Sequence, residues 1–417
     1  MESSLWANLA LRRSLGTLPD EPELLLPKRD CVHPDVSIVV PSLDEALTVG
    51  EFVEWCHEGL AATGLGGEIL IVDSSSDQTP FIALEGGARV LRVPRRGLGR
   101  AYLDASRFAR GRYLILGDAD CTYDFRDLAP FVAALDEGAD FVMGSRFKGS
   151  IEKGAMPPHH RYLGTPITTF LMNRLFGTRY SDIHCGMRAI TAEGFRQMDL
   201  QSQGWEYASE MLVAASRLGM KTTEVPIPFY KDRNGRTSHV KRQGWTTPFR
   251  AGWHTLRVLF TNAADFFLLR VGVSLAAIGT LALAILALGP VDVGPATFTL
   301  HAQVLALSLA VTGWAAVGSG IIARLIYERS KVLRVAWARR LRFTRTMAWV
   351  GLLWAVGLTL DVTFAVIYVR DGYSVSPARE VWSHLAVTGL FLLVFGFVLF
   401  TTMLVVQAVS RRSVERS

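Results

Sequence analysis

The sequence predicts an α/β domain built on a mostly parallel sheet, followed by an all-α region of four membrane-spanning helices. Three observations predict it. Short runs rich in Ile, Val and Leu alternate with amphipathic runs over residues 36–145. Acids recur where the apolar runs stop. After about residue 260, long uncharged runs take over.

The strands are expected at 36–42, 68–74, 89–94, 113–117 and 141–145, and the helices between them at 47–60, 98–109 and 125–135. Strands that are apolar without alternation are buried on both faces, as parallel strands are. The first strand ends in Pro41-Ser-Leu-Asp44-Glu45 and the second in Asp73-Ser-Ser-Ser-Asp77. The fourth runs straight into Asp118-Ala-Asp120. Side chains two apart on a strand share a face, so this pair presents two hard oxygen ligands at the edge where a parallel sheet opens to ligand. Such a pair suits Mg²⁺ or Mn²⁺. Three strand ends deliver acids to one edge. A single acid there is more often a helix cap than a ligand, and Asp77 fits that description.

A chain of 417 residues is too long for one ordinary core. Half of its residues are hydrophobic and its mean hydropathy is +0.25. The net charge of +6 sits beside the apolar runs, which points to anionic lipid headgroups rather than nucleic acid. Cys31, Cys56, Cys121 and Cys185 show no metal or disulfide spacing and read as free thiols in a reducing compartment. Residues 1–34 carry Pro19, Pro22 and Pro27 with acids between them. This is no signal-peptide pattern, and the stretch reads as an irregular leader.

The four spans are expected at 266–288, 302–326, 347–369 and 385–409, since about 20 residues cross the ~30 Å hydrocarbon core. Arg329, Lys331, Arg334, Arg339, Arg340, Arg342 and Arg345 fill the middle loop, and Arg411, Arg412 and Arg416 the tail at 410–417. The loop at 289–301 has no Lys or Arg, and that at 371–384 only Arg379. The positive-inside rule places the basic loop, the tail and the α/β domain in the cytoplasm, in a multi-pass plasma (inner) membrane protein. Asp361 lies within the third span, either as a helix-packing hydrogen bond or on a polar path. Residues 241–265 mix Trp245, Phe249 and Trp253 with Arg250 and Arg257 in the manner of an interfacial helix. The segment 162–176 is apolar enough to touch a membrane surface as well.

Gly97-Leu-Gly99-Arg100 follows the third strand, where glycines admit close approach of a ligand and a helix start can face phosphate. Arg95, Arg96 and Arg100 suit an anion nearby; a solvated basic face explains them equally. Glu206 and Glu210 share one helix face, and the second reads as an acid that orients a basic residue. His159, His160, His184 and His239 have no metal spacing.

Taken in order, Val40-Pro-Ser-Leu-Asp-Glu45, Ile71-Val-Asp-Ser-Ser-Ser-Asp77, Gly97-Leu-Gly-Arg-Ala101, Asp118-Ala-Asp120, Gly144-Ser-Arg146 and Ser181-Asp-Ile-His-Cys-Gly186 resemble a known family. They are similar to family 2 glycosyltransferases with a GT-A fold, in the polyprenyl-phosphate (dolichyl-phosphate) branch. The resemblance covers residues 36–241, and several members of that branch carry two pairs of transmembrane helices. It implies a GT-A, Rossmann-like domain over 35–240 and inverting transfer of one sugar from a nucleotide-sugar to polyprenyl phosphate. It implies that Pro41, Glu45 and Asp73 line the nucleoside pocket, with Gly97 and Arg100 close to the donor. Asp118 and Asp120 match the metal-binding pair, Asp182 an acid near the donor sugar, and Arg146 a basic residue facing the phosphates. Arg161 and Thr165 match the acceptor-phosphate site, and either Arg233 or Arg236 a basic loop that closes on phosphate. The chain departs from the pattern at Asp44, where Asn is usual, in a 73–77 segment one residue short, and at Thr122, where some members place a third metal ligand.

Two other classes stay open from sequence. One is transfer to a glycan or lipid hydroxyl, although no Gln-x-x-Arg-Trp precedes a span. The other is a non-catalytic membrane scaffold with a degenerate transferase domain. The sugar, the base and a homo-oligomeric state are left open.

Overall fold

The computed structural model describes residues 19–233, 235–236, 247–327, 331–376 and 379–412. It divides into two units, Met1–Phe260 and Thr261–Ser417.

The first unit is an eight-stranded sheet with helices packed on it. Its strands are β1 (Glu23–Leu25), β2 (Val36–Ser42), β3 (Gly67–Asp73), β4 (Arg89–Arg92), β5 (Tyr113–Leu116), β6 (Phe141–Ile151), β7 (Arg188–Thr191) and β8 (Thr222–Phe229). The order across the sheet is β1-β4-β3-β2-β5-β7-β6-β8. β1 and β7 run antiparallel to their neighbours; the other pairings are parallel. Val36, Ile38, Val39 and Val40 are almost fully buried, as a central strand covered on both faces requires. Pro41 pairs with Val72 of β3, while pairing with β5 ends at Val39↔Leu116. The missing proline N–H therefore falls where the second neighbour has stopped.

The helices of this unit are α1 (Val49–Thr63), α2 (Thr79–Glu85), α3 (Leu98–Ala105), α4 (Ala129–Asp136), α5 (Thr165–Phe176), α6 (Ala192–Met198), α7 (Tyr207–Leu218) and most of α8 (Thr247–Asn262), whose last two residues belong to the second unit. α1 ends at Gly64, whose φ of 70° closes the helix in the left-handed region. A π-helical turn, His160–Gly164, leads into α5. Trp253, Arg257 and Phe260 are exposed along α8 at helical spacing. Residues 241–246 of the expected interfacial helix lie outside the described residues.

Three elements differ from expectation. β6 continues to Ile151 because it meets β8 again at Ser150↔Pro228, past an irregularity after Ser145. α4 starts at Ala129 rather than 125, with Pro130 in its first turn; Phe125 and Leu128 instead fill the core from the preceding loop. The leader is not irregular throughout: Glu23–Leu25 pairs antiparallel with β4 and covers that sheet edge.

The second unit holds α9 (Ala264–Leu286), α10 (Leu300–Tyr327), the short α11 (Lys331–Arg340), α12 (Phe343–Arg370) and α13 (Glu380–Arg412), with a small hairpin, β9 (Val291–Val293) and β10 (Ala296–Phe298), between the first two. Four of these helices are long and apolar enough to cross a membrane. Glycines set their packing. A Cβ on Gly313 would lie 2.1 Å from the Ala276 nitrogen, and one on Gly357 2.8 Å from the Gly389 carbonyl. Small residues let helix backbones meet where lipid supplies no hydrophobic drive. An Asp361 carboxylate oxygen packs at the same crossing, 2.5 Å from where a Gly389 Cβ would stand.

Candidate active site

Parallel pairing brings the carboxyl ends of β2, β3 and β5 side by side. Beyond β5 the chain reaches Asp118 and Asp120, both half-buried. Neighbours fix this segment from each side. The Tyr102 hydroxyl donates to the Gly117 carbonyl at 2.8 Å, and the Thr48 hydroxyl to the Ala119 carbonyl at 2.9 Å. Asp120 Oδ1 accepts from the Thr122 amide at 3.0 Å and from its hydroxyl at 2.6 Å. Cys121 between them has φ 55°, an uncommon conformation for a residue with a side chain. Against the other face of Asp118 lies Gly186, whose amide donates to the Tyr123 hydroxyl at 2.9 Å. A Cβ there would stand 2.4 Å from Asp118 Oδ2.

A guanidinium closes the group. Arg236 donates through Nε to Glu45 Oε2 at 2.7 Å and through Nη2 to Glu45 Oε1 at 2.6 Å. The same Nη2 lies 3.3 Å from Asp120 Oδ2, and Nη1 donates to Asp232 Oδ1 at 2.6 Å. Burial and the neighbouring Asp120 charge push the Asp118 carboxyl up to about 7, against the pull of Arg236 and Arg188. Burial raises Asp120 as well, and Arg236 and Thr122 oppose it. The pocket thus concentrates negative charge and already accepts one cationic group.

Of the expected site residues, the structure brings together Glu45, Asp118, Asp120 and Arg236, with Pro41 just before on β2. Arg233 goes elsewhere: it pairs with Glu51 of α1 and its guanidinium lies 5.3 Å from the Trp55 ring centre. Arg161 is half-buried at the π-turn, 5.6 Å from the Tyr162 ring centre. Thr165 is buried at the start of α5. Gly97, with φ 111°, lets its loop press on residues 202–204; a Cβ would lie 2.4 Å from the Gln203 carbonyl oxygen. The Arg100 side chain pairs with Asp104 at 2.9 Å.

Four of the named residues are committed to partners within the chain. The Asp73 carboxylate is buried and taken up by Ser42, Ser75 and Arg92. Asp182 and Arg146 pair with each other. Arg146 Nε donates to Asp182 Oδ2 at 2.7 Å and Nη2 to Oδ1 at 2.9 Å, both side chains nearly sealed from solvent. Burial is sustainable because each charge answers the other. Thr122 gives its hydroxyl to Asp120. Three other acids make local contacts. Glu210 accepts the Gln201 and Ser202 amides at 3.0 and 2.8 Å and so holds the loop against Gly97. Asp77 accepts the Thr79 amide at 2.9 Å where α2 begins, although Gln78 is the N-cap residue. Asp44 sits at φ 54° and accepts the Ser76 amide at 2.9 Å; Asn and Asp both suit that conformation. His184 bonds Thr168 at 2.9 Å, and His239 lies outside the described residues. All four cysteines are free.

Sequence reading missed Arg188. It is buried on β7 and donates to the Cys185, Ala208 and Ile183 carbonyls, and its charge draws the Asp118 carboxyl down. A lone cation in the apolar run Met187-Arg-Ala-Ile190 is the signal that was there to find.

Among the described residues no group of three or more His, Cys, Asp and Glu is arranged to hold a metal ion. Two carboxylates beside a bound guanidinium nonetheless fit a divalent cation that keeps waters and takes further oxygens from a phosphate ligand.

A family model described as Glycosyl transferase family 2 matches residues 37–198. The low-salt glycan biosynthesis hexosyltransferase of Haloferax volcanii is 33% identical over 381 residues, 90% of this chain and 90% of that protein. The dolichyl-phosphate hexose transferase of the same organism is 31% identical over 209 residues, 49% of this chain and 86% of that protein. Among solved structures, mannosyl-3-phosphoglycerate synthase from Rubrobacter xylanophilus is 21% identical with a TM-score of 0.44, over 54% of this chain and 73% of that one. The first of these relatives matches across both units, and on that extent of identity the chain belongs to glycosyl transferase family 2.

Proposed function

We propose that this glycosyltransferase moves one sugar from a nucleotide-sugar to a polyprenyl phosphate at the cytoplasmic face of the membrane, with inversion at the anomeric carbon. The observation that carries the reading is the pocket of Glu45, Asp118 and Asp120 at the sheet edge, with Arg236 seated in it. Asp118 and Asp120 would hold Mg²⁺ or Mn²⁺, which supplies neutralisation of the diphosphate leaving group. Pro41 and Glu45 border the place for the nucleoside, and Gly97 keeps the loop beside it close.

The acceptor side rests on different residues. Arg161 has no carboxylate partner among the described residues, and a guanidinium suits phosphate geometry. Beside it Leu163, Ile167 and Phe170 follow helical spacing and are exposed. That is an apolar face next to a cation, as a lipid phosphate would require. The exposed Trp253, Arg257 and Phe260 of α8 repeat the combination. A phosphate monoester is ionised near neutral pH and needs no strong base to attack. Glu210, committed to two backbone amides, is consistent with a reaction that uses none. The relative named as a dolichyl-phosphate hexose transferase supports the same acceptor class, and the basic middle loop and tail support the orientation.

The test is purified protein with polyprenyl phosphate, Mn²⁺ and a panel of labelled UDP- and GDP-sugars. An organic-extractable lipid monosaccharide is expected with one donor. Polymer or glycolipid instead, or no product with any donor, would overturn the reading.

A further inference from the structure

Arg236 occupies the charge-binding pocket itself. Its side chain, only 4% exposed, contacts Glu45, Asp120 and Asp232 through the guanidinium. Burial opposes its charge, yet these partners hold it protonated. It shares Asp120 with the place assigned to a divalent cation. Two cations on one carboxylate repel each other, and within a half-buried pocket water screens them poorly.

We infer that Arg236 is a built-in counter-cation that competes with the divalent metal, so that the metal enters well only together with a nucleoside diphosphate. The inference rests on the reading above. Metal alone must push the guanidinium off Glu45 and Asp120 and offers it nothing in exchange. A metal–nucleoside diphosphate brings an anion to which the released guanidinium can turn. Arg236 then links the two ligands: each strengthens the other, and by linkage the effect is reciprocal. Arg233 takes no part, since Glu51 and Trp55 hold it.

The test is Mn²⁺ binding by electron paramagnetic resonance to the detergent-solubilised full chain, wild type against R236Q, with and without UDP or GDP. R236Q is expected to bind Mn²⁺ alone about tenfold more tightly than wild type, within the ~5–150-fold usual for coupled sites. Addition of the nucleoside diphosphate should then tighten Mn²⁺ binding less in R236Q than in wild type. Equal or weaker binding of Mn²⁺ alone by R236Q overturns the inference. A second arm needs no variant: reaction of Arg236 with phenylglyoxal, followed by mass spectrometry, should rise when millimolar Mn²⁺ is added to the wild type. Unchanged protection overturns it as well. If lipid-linked sugar still forms in the same preparation, only the competition fails and the proposed function stands; if none forms, that function fails too.

Discussion

Arg146 and Asp182 form a forked ion pair, with contacts of 2.7 and 2.9 Å, and join the outer part of β6 to the loop that leads into β7. The Phe229 ring of β8 lies 5.0 Å from the same guanidinium. Asp182→Asn leaves the buried Arg146 charge without its partner. The expected cost is about 3–5 kcal/mol, read as a lower denaturation midpoint of the solubilised protein. Pairing it with Arg146→Met should recover much of the loss. An unchanged midpoint in Asp182→Asn would show that the pair is not the tie described.

Gly186→Ala probes how closely Asp118 is held. The new Cβ would meet Asp118 Oδ2 at 2.4 Å, so the carboxylate must turn. Displacement of a reacting group by about 1 Å costs on the order of 10²-fold in rate. Turnover should fall by about that much while the far-ultraviolet spectrum stays that of the wild type. Wild-type turnover would mean that Asp118 is free to reorient.

His184 gives a pH dependence of stability. Burial, with the Arg146 charge beside it, pushes its imidazole down to about 4 from 6.5. Between those values the unfolded chain takes up a proton that the folded chain refuses. Stability therefore falls as pH drops from 6.5 towards 4, by up to about 3 kcal/mol from this residue. His184→Gln should flatten that part of the profile. The same slope in the variant would assign the acid sensitivity to other groups.

Removal of divalent metal should abolish turnover, and Mn²⁺ or Mg²⁺ should restore it. Asp120→Ala should lose more than about 10²-fold, the size of a lost electrostatic contact in a reaction site, and added metal should not rescue it. Full activity in excess chelator would remove the metal from Asp118 and Asp120.

The sequence displayed what depends on continuous local pattern. β2 was readable to the residue because its apolar run stops at Pro41-Ser42. The spans were readable because length and absence of charge suffice. Partners distant in sequence were not. The partner of Asp73 is one case: Arg92, 19 positions on, sits on the adjacent strand only after folding. Asp182 and Arg146 were both seen, but not that they neutralise each other. Arg233 and Arg236 are equivalent as letters; Glu51 claims one and Glu45 the other, and nothing local distinguishes them. The short β1 has too few residues to show a period and is a strand because β4 offers it an edge.

The most direct measurement compares two acceptors of equal chain length, polyprenyl phosphate and polyprenol, with one accepted nucleotide-sugar. If an ionised phosphate does the attacking, labelled sugar should pass to the phosphate and not to the alcohol. Equal transfer to the alcohol would contradict the proposed chemistry.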